Sequence, residues 1–126
     1  MKQLKHFNDL IVWQRSHRLF LDVVKDIENF HQNAVLREII RQIVRSVGSI
    51  SSNIAEGFNA MTTRQYISFL DISRRSSAES ENWFYKLRDL GYLKKDIAEI
   101  RINECLEINK MLYGLMRSLR EKPIKR

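Results

Sequence analysis

Residues 45–60 read RSVGSISSNIAEGFNA, and the fold turns on this stretch. Val47, Ile50 and Ile54 extend an apolar stripe that begins at Leu36, with the three-and-four spacing of one helix face. Gly57 follows the last stripe position, where a glycine in the left-handed conformation commonly closes a helix. Glu56 stands in the final turn, at the negative end of the helix dipole, where an anion is disfavoured. Two readings stay open. The acid is an ordinary solvated helix end, or it faces the positively polarised N-termini of the first and third helices of an up-down-up-down bundle. On the second reading Asn53 serves the same pole by bonding Gln14 or the indole N–H of Trp13.

Working backwards, Asn33 is a candidate N-cap, so the second helix is expected over about 34–56. Arg37, Arg41 and Arg45 follow at intervals of four on the flank of its stripe. Such a row either tracks phosphates or is solvated and paired with acids. Gly48 and the serines at 46, 49, 51 and 52 are poor helix formers, so packing must hold this half of the helix. The first helix is expected over about 8–30, capped by Asn8, with a core face of Leu10, Trp13, His17, Phe20, Val24 and Ile27. His17 on that face reads as a hydrogen-bonded core histidine. A second apolar line, Val12, Leu19, Val23 and Phe30, is displaced around the same helix.

Working forwards, Thr62 and Gln65 read as a capping box for a third helix over about 63–90. Its core face includes Tyr66, Phe69, Leu70, Phe84 and Leu87 together with Ser73, Ser77 and Ser80, small residues that allow a close helix crossing. No Gly-x-Ser-x-Gly or Ser-x-x-Lys arrangement turns these serines into nucleophiles. Gly91 ends the helix in a left-handed cap. Asp96 and Glu99 form a second capping box for a fourth helix over about 96–121, whose core line is Ile97, Ile100, Ile108, Met111, Leu112, Leu115 and Leu119. Ile102, Leu106 and Tyr113 fall on a separate stripe. Pro123 stops the helix and leaves a mobile basic tail.

The chain has 126 residues, one proline and four glycines, which suits one domain of long helices spanning 1–126. Cys105 is the only cysteine, so a disulfide or a cysteine-based zinc site is not expected. Of the three histidines only His31 stands three residues after a glutamate, Glu28, and the di-iron bundle pattern needs such a pair on each of two facing helices. Glu104 and Glu107, with Asp22 and Asp26, are conceivable magnesium ligands, but a solvated outer face accounts for them better. No metal, cofactor or catalytic residue is expected. No apolar run suits a membrane span or a signal peptide, so a soluble cytoplasmic protein without membrane contact is expected. The net charge is +7, with +2 in residues 1–6, +4 in residues 117–126 and +1 in the stretch between. An up-and-down bundle brings both basic ends to one pole.

Phe7, Leu10, Val12, Trp13 and Gln14, then Ser49-Ile50, Asn53-Ile54-Ala55-Glu56-Gly57, Phe69-Leu70-Asp71-Ile72-Ser73 and Leu90-Gly91-Tyr92-Leu93 carry a family resemblance. In these words the chain resembles the four-helix bundle family of ribosomal RNA intervening-sequence proteins, with Trp13, Gln14, Asn53, Glu56 and Gly57 as structural motif residues. That family is similar to the accessory variability determinants of diversity-generating retroelements, which form pentameric rings and bind nucleic acid and a reverse transcriptase. The resemblance therefore implies a pentamer and those partners. Phe30-His31 departs from the phenylalanine-proline usual after helix one, and Arg74-Arg75-Ser76-Ser77 from a glycine-serine pair usual in helix three.

Taken together, the expectation is an all-α, antiparallel up-down-up-down four-helix bundle that assembles into a ring-shaped homo-oligomer and acts through binding of RNA or DNA. The alternative is a protein-interaction adaptor with no direct nucleic-acid role. Oligomer contacts are expected from Val12, Leu19, Val23, Phe30, Ile102, Leu106 and Tyr113, which would otherwise expose apolar patches. Phosphate contacts are expected from Lys2, Lys5, Arg64, Arg117, Arg120, Lys122, Lys125 and Arg126, and from the row Arg37, Arg41 and Arg45.

Overall fold

The computed structural model describes residues 4–126, so Lys2 lies outside the described residues. They form four long helices and no strand: α1 (Ile11–Glu28), α2 (Ala34–Phe58), α3 (Thr63–Asp89) and α4 (Lys95–Glu121). A short 3-10 turn, Phe7–Asp9, precedes α1. Among the described residues no helix is long and apolar enough to cross a membrane.

The helix ends follow side-chain chemistry, with four departures from expectation. Asn33 caps α2 by accepting from the Leu36 N–H at 2.9 Å, and the Thr62 hydroxyl caps α3 by accepting from the Gln65 N–H at 3.1 Å. Gly91, at φ 81°, closes α3: the Tyr92 N–H donates to Leu87 and the Gly91 N–H to Arg88, the paired bonds of a Schellman end. Asn8 is not the cap of α1. His6 caps the 3-10 turn instead, its Nδ1 accepting from the Asn8 N–H, while Asp9 accepts from the Lys5 and His6 N–H groups. Asp96 lies within α4, which starts at Lys95 without a side-chain cap. Gly57 lies inside α2, which runs on to Phe58, and Gly91 holds the one positive φ among the described residues. The tail is docked: the Ile124 N–H donates to the Thr63 hydroxyl at 2.9 Å, and Arg126 donates to the Ala60 carbonyl.

Gly57 is needed for space. A Cβ there would lie 3.0 Å from Phe69 Cβ and Tyr66 Cδ1 and 3.2 Å from the Tyr66 carbonyl oxygen. The start of α3 therefore rests directly on the backbone of α2. Gly57→Val is expected to destabilise the protein by about 1–3 kcal/mol through overpacking. Chemical denaturation reads this, and an unchanged midpoint would mean that the two helices separate easily.

The core of α2 and α3 matches the sequence reading. Leu36, Ile39, Ile43, Val47, Ile50 and Ile54 are buried on α2, and Tyr66, Leu70, Phe84 and Leu87 on α3. Leu10 is buried as expected, but along α1 itself the two stripes exchange roles. Val12, Leu19 and Val23 are buried, while Trp13, Phe20 and Ile27 are half-buried and His17 is exposed. The inward face also takes in Ser16, fully buried between Val12 and Leu19, whose hydroxyl donates to the Val12 carbonyl at 2.7 Å and so enters the core satisfied. On α4 the inward line is Ala98, Ile102, Cys105, Ile108, Leu112, Met116 and Leu119, and Ile100 points outward. Val12, Leu19, Val23 and Ile102 therefore belong to the subunit's own core, correcting their assignment to an oligomer face. Phe30 is half-buried, its ring 6.3 Å from that of Tyr92. Leu106 and Tyr113 remain exposed.

Small polar residues join the helices where they come closest. The Ser73 hydroxyl donates to the Ile50 carbonyl of α2 at 2.8 Å, and Ser77 to the Cys105 carbonyl of α4 at 3.1 Å. Ser76 reaches Ser49 and Ser80 reaches Ser46, each at 2.9 Å. These hydroxyls bond across the crossing, and Ser80 also reaches one turn back, to the Ser76 carbonyl at 2.8 Å. As the numbers rise along α3 they fall along α2. Ser73, Ser77 and Ser80 are fully buried.

Candidate nucleic-acid interface

The N-terminal segment and the C-terminal tail meet at one end of the bundle. Leu4, Ile11 and Val12 share a groove with Met111 and Leu115 of α4, while the tail returns to Ala60 and Thr63 between α2 and α3. This end gathers Lys5, Arg64, Arg117, Arg120, Lys122, Lys125 and Arg126, seven cations, against Asp9, Glu56 and Glu121. Arg117 pairs with Glu121 at 3.4 Å in an exposed bridge, and Arg126 sits 5.8 Å from the centre of the Phe58 ring. Arg64, Arg120, Lys122 and Lys125 are exposed and have no carboxylate within reach among the described residues. A docked tail holds Lys122 and Lys125 near the start of α3, where a mobile one would spread them through solvent.

The α2 row does not form a comparable surface. Arg41 pairs with Glu38 at 3.7 Å and Arg45 with Glu79 of α3 at 3.0 Å. Arg37 alone of the three lacks an acidic partner among the described residues, and it lies near the start of α2, toward the opposite end of that helix from Gly57. Glu56 is exposed and has no ion pair among the described residues, so its dipole conflict is met by solvent. Asn53 bonds within its own helix, donating to the Ser49 carbonyl and hydroxyl at 2.8 Å, and Gln14 donates to the Asn8 carbonyl at 2.8 Å. Neither joins the other. Trp13 instead stacks on His17, with ring centres 4.8 Å apart and planes 10° apart.

The acids considered as metal ligands are held by arginines across the α1–α4 seam. Arg15 grips Glu104 with two donors, and Arg101 grips Asp26 with Nε at 2.8 Å and Nη2 at 3.0 Å, with Asp22 at 3.7 Å from Nη1. Hydrogen bonding to Glu104 and to Asp26 raises the respective arginine pKa values above their ordinary range, against the opposing effect of burial. Residue numbers again run in opposite senses, 15 with 104 and 26 with 101. No sequence signal showed these pairs, since partners so far apart in the chain meet only through topology. Among the described residues no cluster of His, Cys, Asp or Glu is placed to hold a metal. Burial pushes the Cys105 thiol up to about 12, so it is a protonated, inert core group at neutral pH.

Residues 8–114 match the family model of the 23S rRNA-intervening sequence protein. Among solved structures the chain is similar to the crystal structure of a protein with unknown function from the S23 ribosomal protein family of Bacteroides thetaiotaomicron. The TM-score is 0.76 and the identity 28%, covering 84% of this chain and 98% of that one. No curated protein matches. The family match runs from the turn before α1 into the last third of α4 and takes in the helix crossings and ion-paired seam just described. On that extent, the chain belongs to the 23S rRNA intervening-sequence protein family.

Proposed function

We propose that this protein is a non-enzymatic nucleic-acid-binding scaffold whose binding surface is the basic end of an antiparallel up-down-up-down bundle. The observation that carries the reading is the docked tail, which keeps Lys122 and Lys125 beside Arg64 at the end where Lys5, Arg117 and Arg120 also stand. Lysine and arginine without competing carboxylates release counterions from a phosphate backbone, so binding falls steeply with salt.

Resemblance to the accessory variability determinants supports self-association into a pentameric ring and a reverse transcriptase as protein partner. A ring would present several basic ends at once and strengthen weak contacts through multivalency. With Val12, Leu19, Val23 and Ile102 inside the subunit, the apolar surface left on α4 for such contacts is Leu106 and Tyr113, with Ile100 also exposed. Light scattering is expected to return a mass several times that of the chain; a monomer at micromolar concentration removes the ring.

Truncation at residue 117 would remove Leu119 from the core, so charge reversal is the cleaner test. Arg120→Glu, Lys122→Glu and Lys125→Glu together are expected to lower the slope of log affinity against log salt by about 2–3. An unchanged slope would move the site elsewhere. Persistence of a protein partner after nuclease treatment, with no salt-dependent nucleic-acid binding, would favour the adaptor reading.

A further inference from the structure

Four rings form a continuous ladder at the start of α1. His6 and Phe7 lie 4.0 Å apart between ring centres, Phe7 and Trp13 5.3 Å, and Trp13 and His17 4.8 Å. The segment is held in shape: the 3-10 turn is closed by the reciprocal His6 and Asp9 caps, and Gln14 donates back to the Asn8 carbonyl. Trp13 and Phe7 are half-buried, while the two end rings, His6 and His17, are exposed. Both ends of the ladder are therefore open to solvent.

The other large surface rings are differently used. Arg74 lies over Tyr113 at 5.5 Å, Lys86 over Trp83 at 5.8 Å and Arg88 over Tyr85 at 5.0 Å, so a cation of the same chain already occupies a face of each. Among the described residues no cation lies over Phe7 or Trp13. The ladder starts one residue after Lys5, at the end of the bundle where the cations collect.

Exposed rings at both ends of an aromatic ladder, beside unpaired cations, suit one class of ligand. A single strand offers unstacked bases to the rings and phosphates to the cations, whereas a duplex keeps its bases stacked within itself. We propose that the His6–Phe7–Trp13–His17 ladder is a base-stacking platform that makes the basic end selective for single-stranded nucleic acid. This deepens the scaffold reading and rests on it.

The test uses the full chain carrying Trp83→Phe, which leaves Trp13 as the one tryptophan. The probes are a short oligouridylate and an RNA duplex of equal length. Oligouridylate is expected to quench Trp13 fluorescence and the duplex to leave it nearly unchanged. His17→Ala, at an exposed position, is expected to weaken oligouridylate binding about fivefold or more while duplex binding stays the same. His17→Phe, which keeps a stacking ring without an imidazole, should retain the affinity. Salt-dependent binding of both probes with equal quenching and no effect of His17→Ala would overturn the platform and leave the scaffold standing. Failure of both probes to bind at low salt would overturn the scaffold and the platform with it.

Discussion

Leu19→Ala is expected to lower the stability of the protein by about 2–5 kcal/mol, read as a shift of the urea midpoint. Leu19 is 2% exposed and sits against the bundle core beside Val12 and Val23. Truncation removes the transfer free energy of its methyl groups and leaves a cavity that the close-packed helices collapse only in part. The experiment also separates two roles for this stripe. A core residue costs stability at any protein concentration, whereas an interface residue changes the mass and makes the midpoint concentration-dependent. A shift below about 0.5 kcal/mol with a fall in mass would return Leu19 to a subunit interface.

Asp26→Ala is expected to cost about 3 kcal/mol, because it leaves the Arg101 guanidinium with only the longer contact to Asp22. The Arg101 and Asp26 side chains are 15% and 16% exposed, so solvent replaces the lost carboxylate poorly. Arg101 cannot escape by deprotonation, since a guanidinium keeps its proton in proteins. Replacing both partners, Asp26→Ala with Arg101→Met, is expected to recover most of the loss, because an apolar pair removes the unbalanced charge along with the bond. A four-state denaturation cycle measures the coupling. If Asp26→Ala alone costs no more than a surface substitution, about 0.5 kcal/mol, the seam is wetter than its geometry indicates.

Both residues lie where sequence reasoning stops, at the choice of face and of partner, while other stretches were legible. The stripe on α2 was legible because one face of that helix holds nearly all its aliphatic residues. On α3 the small serines between Tyr66 and Phe84 pointed correctly to a close crossing. Their partners were not legible, since Ser73 and Ser77 meet carbonyls on two different helices. Of the candidate interface, the cations at the two ends were visible as a charge excess. The acid of α3 that pairs with Arg45, the docking of the tail and the aromatic ladder were not, because each joins residues whose distance is set by how helices or turns pack. His17 shows the same limit: its spacing suited a core face, yet it stands at the rim and covers Trp13.

Helix number and approximate extent were determined by local chemistry: apolar spacing, the Asn33 and Thr62 caps, and the left-handed Gly91. Those signals act within one turn of chain and survive without knowledge of neighbours. The choice between two apolar stripes on α1, and the inward line of α4, belonged to the tertiary structure alone. A helix rotates about its axis until the best-fitting face meets its partners, and here that face is lined with Ser16, Ala98 and Cys105, whose small size lets backbones approach while larger residues close around them.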